Sequence, residues 1–377
     1  MRVGLVLGAG GVLGGAWLTG GLHALATESG WDPASADHVV GTSAGAMMGS
    51  LCVAGVPPWF MVAHSGGEVF EGVTDAHGRP AAEADRSGGA VFRLERALPP
   101  IGPGSWRLAL RTLARPRGHT PGALIGGWLP RGVISTTALR ETVRRAVPTG
   151  WVDHPGFWAI ACDYATGRRV AFGREDAPRA DLADAVAASC AIPGFYHPVT
   201  LSGRRYVDGG MHSPSNLDLL AGKGLDLVIC LNPTSSLHTR PARQPIERMH
   251  AYMRSASGRR LGSEARTVRA SGAEVMLIQP QAEDLALMGG NLMSRKGRHE
   301  VLEMAIETVR GQLRTAENQK LLAALAAGEP DRVRRPAGPP STWPQFARAG
   351  DPPATLRRPG AGTPAPPALD TSRRRAS

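Results

Sequence analysis

The chain has 377 residues, a hydrophobic fraction of 42% and a formal net charge of +11. These values exclude a small stapled domain, a collagen-like or low-complexity chain and a wholly disordered one, and they suffice for one sizeable α/β core. The charge is uneven, because residues 331–377 hold nine arginines and three aspartates. Without zinc-finger spacing, an aromatic RNA-binding signature or a basic heptad helix, it does not indicate a nucleic-acid partner. Contact with an anionic membrane, at about 1 kcal/mol per nearby basic residue, is one of two evenly weighed readings of it. An arginine-rich genome, with only three lysines in the chain, is the alternative.

Val3–Leu7 reads as a buried strand, followed by a glycine-rich loop at Gly8–Gly11 and a helix over Gly14–Thr27. His38–Gly41 reads as a short strand running into Ser43, and Ala44–Ala54 as a closely packing helix stopped by Pro57 and Pro58. Residues 60–135 are less regular and read as an insertion or cap over the site, with an Arg-Leu-rich stretch at Trp106–Arg117. Thr136–Ala146 reads as a helix capped by Ser135 or Thr136. Phe157–Asp163 and Arg168–Phe172 are strands around a turn at 165–167, and Leu182–Ser189 is a helix. Pro198–Leu201 and Arg204–Val207 flank a Ser202-Gly203 hairpin turn. Leu225–Leu231 and Val275–Ile278 are strands, Ile246–Ala270 is mainly helical, and Arg298–Ala327 is one helix or two. Alternating strands and helices imply a mostly parallel sheet covered on both faces.

From Val3 to Thr27 there is no charged side chain, a pattern shared with signal peptides and membrane spans. Eight glycines interrupt it, so a buried strand, loop and helix is the preferred reading. Ten prolines and repeated arginines in 331–377 leave little apolar surface, so 330–377 is expected to be disordered. Cys52, Cys162, Cys190 and Cys230 lie in apolar runs without metal-ligand spacing. They read as buried reduced thiols, which suits a cytoplasmic protein. No metal site or cofactor is expected, and oligomeric state is not specified.

Gly41-Thr42-Ser43-Ala44-Gly45 fits the nucleophile elbow G-x-S-x-G between a predicted strand and a predicted helix. Small residues two positions either side let the turn close, and the helix behind the serine aims amides and its positive dipole end at developing negative charge. Ser43 is the candidate nucleophile. Gly8-Ala9-Gly10-Gly11-Val12-Leu13-Gly14 offers backbone amides to an oxyanion, its glycines letting the backbone approach a substrate and adopt positive φ. The rival is a dinucleotide fingerprint with Asp32 or Asp37 on a ribose. Leu13 occupies its third glycine position, and it leaves Ser43 unexplained. A Walker loop is excluded because no Gly-Lys-Ser/Thr is present. Asp208-Gly209-Gly210 follows a strand and suits a carboxylate base on a tight loop. Alone, such a triplet is most often a turn.

Glycine-rich loop, G-x-S-x-G and D-G-G in that order resemble the patatin-like phospholipases. Ala188–Phe195 followed by Tyr206–Gly210, and 161–163 with 166–168, are similar to that family as well. The resemblance covers roughly residues 1–315, with 60–135 and 330–377 outside it and 316–329 as a closing helix end. It implies a three-layer α/β/α sandwich and a Ser43–Asp208 dyad acting on lipid esters without metal or cofactor. It also implies an oxyanion hole at Gly10 and Gly11, with Gly41, Gly45, Gly209 and Gly210 shaping the motifs. Two positions depart from the family loop. Ala9 replaces a glycine and Leu13 a basic residue, which bears on phospholipid preference more than on hydrolysis. Thr42 is compatible with the pattern. A triad completed by His212, His250 or His299 is the mechanistic alternative, and Met288–Asn291 is a loop that either lines the site or only connects helices. Soluble-ester or thioester hydrolysis, acyl transfer, and lipid binding without catalysis are the alternative functions.

Overall fold

The computed structural model describes residues 1–68, 70, 73, 78, 92–95, 101–238 and 245–339. Within them eight strands form one mixed sheet. The strands are β1 (Val3–Leu7), β2 (His38–Thr42), β3 (Phe157–Asp163), β4 (Arg169–Phe172), β5 (Val199–Leu201), β6 (Arg204–Asp208), β7 (Leu227–Leu231) and β8 (Glu274–Ile278). The run β3-β2-β1-β7-β8 is parallel, and β4, β5 and β6 join antiparallel at the β3 end.

Alternation along each strand sends successive side chains to opposite faces. Leu5, Leu7, Val39, Ile229 and Leu231 enter one core, packed by α1 (Gly11–Ser29), α2 (Ala44–Val53) and other helices of that face. Val6, Val40, Ile160, Val228 and Cys230 enter a second core on the opposite face. Both faces are covered, so the architecture is a three-layer sandwich. The remaining helices are α3 (Pro58–Ser65), α4 (Trp106–Ala114), α5 (Pro121–Gly126), α6 (Thr137–Ala146), α7 (Leu182–Ser189), α8 (Pro245–Ala270), α9 (Ala282–Met288), α10 (Arg298–Leu313), α11 (Ala316–Leu322) and α12 (Pro330–Val333). Leu261, Ala265 and Val268 of α8 pack into the second core.

Three differences from the sequence reading have physical causes. First, α1 starts at Gly11, straight off the glycine loop, with no side-chain cap to mark it. Second, Pro57 and Pro58 end α2 and also begin α3, because proline at the first helical position is pre-organised for the turn. Third, the disorder expected from residue 330 does not hold at its start. Arg332 of α12 is buried, pairs with Asp32 at 2.9 Å, and donates to the Gly55 carbonyl at 2.6 Å. Residues 340–377, and 79–91 within the expected cap, lie outside the described residues. Among the described residues no helix is long and apolar enough to cross a membrane.

Candidate active site

The sheet brings Ser43 and Asp208 together through its pairing. Ala159 and Ile160 pair with β2 and with β4, whereas Ala161 and Cys162 pair with β4 and with β6. A strand has two edges, so β6 takes over from β2 along the same edge of β3. The two run in opposite directions, and their C-terminal ends meet there. Thr42 lies opposite Ile160 and Asp208 opposite Ala161, one residue further along. Residues 165 positions apart in sequence thus become neighbours, and the Ser43 side chain interacts with the Asp208 carboxyl.

Ser43 sits between β2 and α2 with φ 54 and ψ −120, a backbone conformation that L-residues rarely adopt. Its neighbours explain how the turn closes. A Cβ on Gly41 would meet the Cα of Ala46 at 2.5 Å, and one on Gly45 would drive into the Leu7 carbonyl. The Ser43 amide donates to Ser189 Oγ at 2.9 Å, and Ser189 Oγ donates to the Ile160 carbonyl. The residue is buried, at 3% exposure.

The glycine-rich loop lies beside both residues. Amides of Gly8, Ala9, Leu13 and Gly14 are committed to the carbonyls of Leu231, Pro214, Leu292 and Gly10. Those of Gly10 and Gly11 have no acceptor among the described residues. Gly11 takes φ 60, and Gly10 packs so closely on Pro233 and Gly14 that a Cβ would not fit. Ala9 lies against Gly210, joining this loop to the Asp208 turn. Leu13, where the resemblance has a basic residue, is buried in the core.

Asp208 is buried, and burial pushes its carboxyl up from 3.8 to about 6. Interaction with the Ser43 side chain and a hydrogen bond from the Gly210 amide at 2.7 Å oppose that rise. The Cys190 thiol also contacts Ser43, and burial raises it well above its ordinary value. All four cysteines are free and buried.

None of the three candidate histidines is hydrogen-bonded to Ser43 or Asp208 among the described residues. His212 faces Arg260 at 3.4 Å and is held down near 4 by burial and by Arg169 and Arg260. His299 pairs with Glu303 at 3.1 Å on the surface. His250 packs on Gly290 in a cleft beside the end of α9. Asp32 and Asp37, weighed as ribose partners, are engaged elsewhere. Asp32 binds Arg332, and Asp37 accepts from the Val3 amide at 2.7 Å. Among the described residues no three His, Cys, Asp or Glu side chains converge on a metal position.

Several supporting residues went unread in the sequence. Asn216, at φ 53, donates to Thr42 Oγ1 at 3.0 Å and to the Ser213 carbonyl at 2.6 Å. Buried Glu264 accepts from Ser215 Oγ at 2.6 Å, the Leu217 amide at 3.0 Å and Arg260 at 2.7 Å. Together they clamp the chain that leaves Asp208. From the other side, Thr120 donates to the Met211 carbonyl at 2.8 Å and Tyr164 to the Gly126 carbonyl at 3.0 Å. A third small core of Leu108, Ala123, Cys162, Tyr164, Val207 and Met211 seats α4 and α5 against the Asp208 turn.

A serine-bearing turn at the C-terminal edge of a parallel sheet, faced by a glycine loop and a buried carboxylate, places the protein among α/β folds organised around a strand–turn–helix elbow. The patatin-like phospholipase family model matches residues 5–221, more than half of the chain, and the chain belongs to that family. Membership supports lipid acyl hydrolysis as its general activity. The match ends before β7, while β7 and β8 continue the same sheet.

Proposed function

We propose that the protein hydrolyses lipid acyl esters of the phospholipase A or lysophospholipase kind through a Ser43–Asp208 dyad. The observation that carries this reading is the meeting, at one edge of β3, of a buried elbow serine and a buried carboxylate whose ionisation lies near 6. Asp208 is mostly ionised at neutral pH and accepts the Ser43 proton as Oγ attacks the ester carbonyl. The carbonyl oxygen gains the electron pair and is met by the Gly10 and Gly11 amides. Collapse expels the alcohol, which takes the proton back from Asp208. Water then adds to the acyl-serine, again giving its proton to Asp208, and the fatty acid leaves as Ser43 is restored.

The same reading includes peripheral contact with an anionic lipid surface, supported by the exposed apolar and basic face of α4. Hydrolysis of a p-nitrophenyl ester and of a phospholipid by wild type, Ser43→Ala and Asp208→Asn tests the dyad. Both folded variants should lose at least about a hundredfold in turnover. Near-full activity of Asp208→Asn would reopen the histidines.

A further inference from the structure

A cleft of about 370 Å³ lies between α8, Thr234 and residues 285–292, the end of α9 and the chain after it. Arg254 of α8 lines it. The guanidinium donates to the Pro233 carbonyl at 3.1 Å and has no carboxylate partner among the described residues. Burial alone lowers its affinity for its proton. Desolvating a cation without a counter-charge is costly, and the cost is relieved when a ligand brings the anion. Other partly buried arginines of this protein, Arg140, Arg169 and Arg310, each pair with an Asp or Glu.

The surroundings of Arg254 suit a phosphate. The hydroxyls of Thr234 and Ser257, 3.0 Å apart, and the imidazole of His250 lie in the same cleft. Met253, Leu285 and Leu292 supply an apolar wall. A planar fork with an imidazole and two hydroxyls in the same cleft matches an anion with several oxygens. The cleft also shares its walls with the glycine loop. Leu292 accepts the Leu13 amide at 3.0 Å, and Pro233, which holds Arg254, packs against Gly10 and Gly14.

We propose that this cleft is a phosphate subsite, in which Arg254 receives the phosphate of a phosphate-bearing acyl ester whose carbonyl reaches Gly10 and Gly11. The identity of the reacting carbonyl rests on the hydrolase reading above, whereas the anion site does not.

Calorimetric titration of Ser43→Ala protein with decanoyl glycerophosphate, decanoyl glycerol and inorganic phosphate tests it without turnover. The glycerophosphate should bind about tenfold or more tighter than the neutral glyceride, as one charge-assisted contact provides. In Ser43→Ala/Arg254→Met that preference should fall to about twofold or less, and Arg254→Lys should keep part of it. Arg254-dependent displacement by inorganic phosphate would assign the site to phosphate from either source. Retained preference without displacement would assign it to the lipid headgroup. Equal affinity for both lipids in the Ser43→Ala protein, or a preference that survives a folded Arg254→Met, overturns the proposal. A wild type that binds with this preference but hydrolyses neither lipid contradicts the dyad and leaves the subsite standing.

Discussion

Ser43 keeps a positive φ inside a buried turn, which costs about 1–3 kcal/mol that the surrounding packing must offset. Asp208 carries a second local cost. Its carboxyl holds a proton more tightly in the folded chain than in the unfolded one, so its contribution favours the native state below about pH 4. That contribution is lost as pH rises through about 6. At neutral pH the ionised, buried group therefore works against stability by roughly 3 kcal/mol. Asp208→Asn removes the charge while keeping an acceptor for the Gly210 amide. It should raise the melting temperature at pH 7, with a smaller gain at pH 4, while abolishing turnover. Scanning calorimetry at both pH values checks this, and a variant less stable at pH 7 would contradict it.

Elements explain how those residues are held, and they also mark where sequence reasoning ends. The elbow was legible because close approach demands small residues, and Gly41 and Gly45 meet that demand within five positions. Strand and helix identities around it followed from apolar runs and their punctuation. Ser189 was not legible as a positioning group, because its partner Ser43 is 146 residues away and a serine at a helix end carries no signal of its own. Asn216 reaches Thr42 across 174 residues in the same way, and Arg332 reaches Asp32 across 300. Composition alone cannot separate Arg332 from the arginines that follow it. Ser189→Ala should leave the buried Ser43 amide without an acceptor, costing about 1–3 kcal/mol. The elbow would shift, so kcat should fall by more than KM changes. Unfolding in urea together with steady-state kinetics reads both, and an unchanged kcat would remove Ser189 from the positioning role.

On the scale of the molecule, the segment that packs on the Asp208 turn presents apolar and basic side chains to solvent. On α4, Trp106, Leu110 and Leu113 form one stripe at 58%, 56% and 69% exposure, while Leu108, Ala109 and Thr112 face inward. Ile125 and Trp128 are exposed as well, and Arg107, Arg111, Arg115, Arg117 and Arg131 of the same stretch of chain are exposed too. Exposed apolar side chains interspersed with arginines suit the headgroup region of an anionic bilayer, where tryptophan is favoured. This segment packs on the Asp208 turn through Met211, so docking it would bring lipid to the site. Trp106→Ala/Leu113→Ala should lower binding to phosphatidylglycerol vesicles by about tenfold or more. Arg107→Gln/Arg111→Gln should lower it by an amount that shrinks as salt rises. Vesicle co-sedimentation reads both, and unchanged binding in all variants would place the lipid contact elsewhere.

The most direct test of the central claim, that Asp208 activates Ser43, is the rate at which a fluorophosphonate labels the protein as pH is varied. Mass spectrometry should place one adduct on Ser43, with a rate that rises through about pH 6 as Asp208 ionises and that falls by at least about a hundredfold in Asp208→Asn. An adduct on another residue, or an equal rate in wild type and a folded Asp208→Asn, would contradict the account.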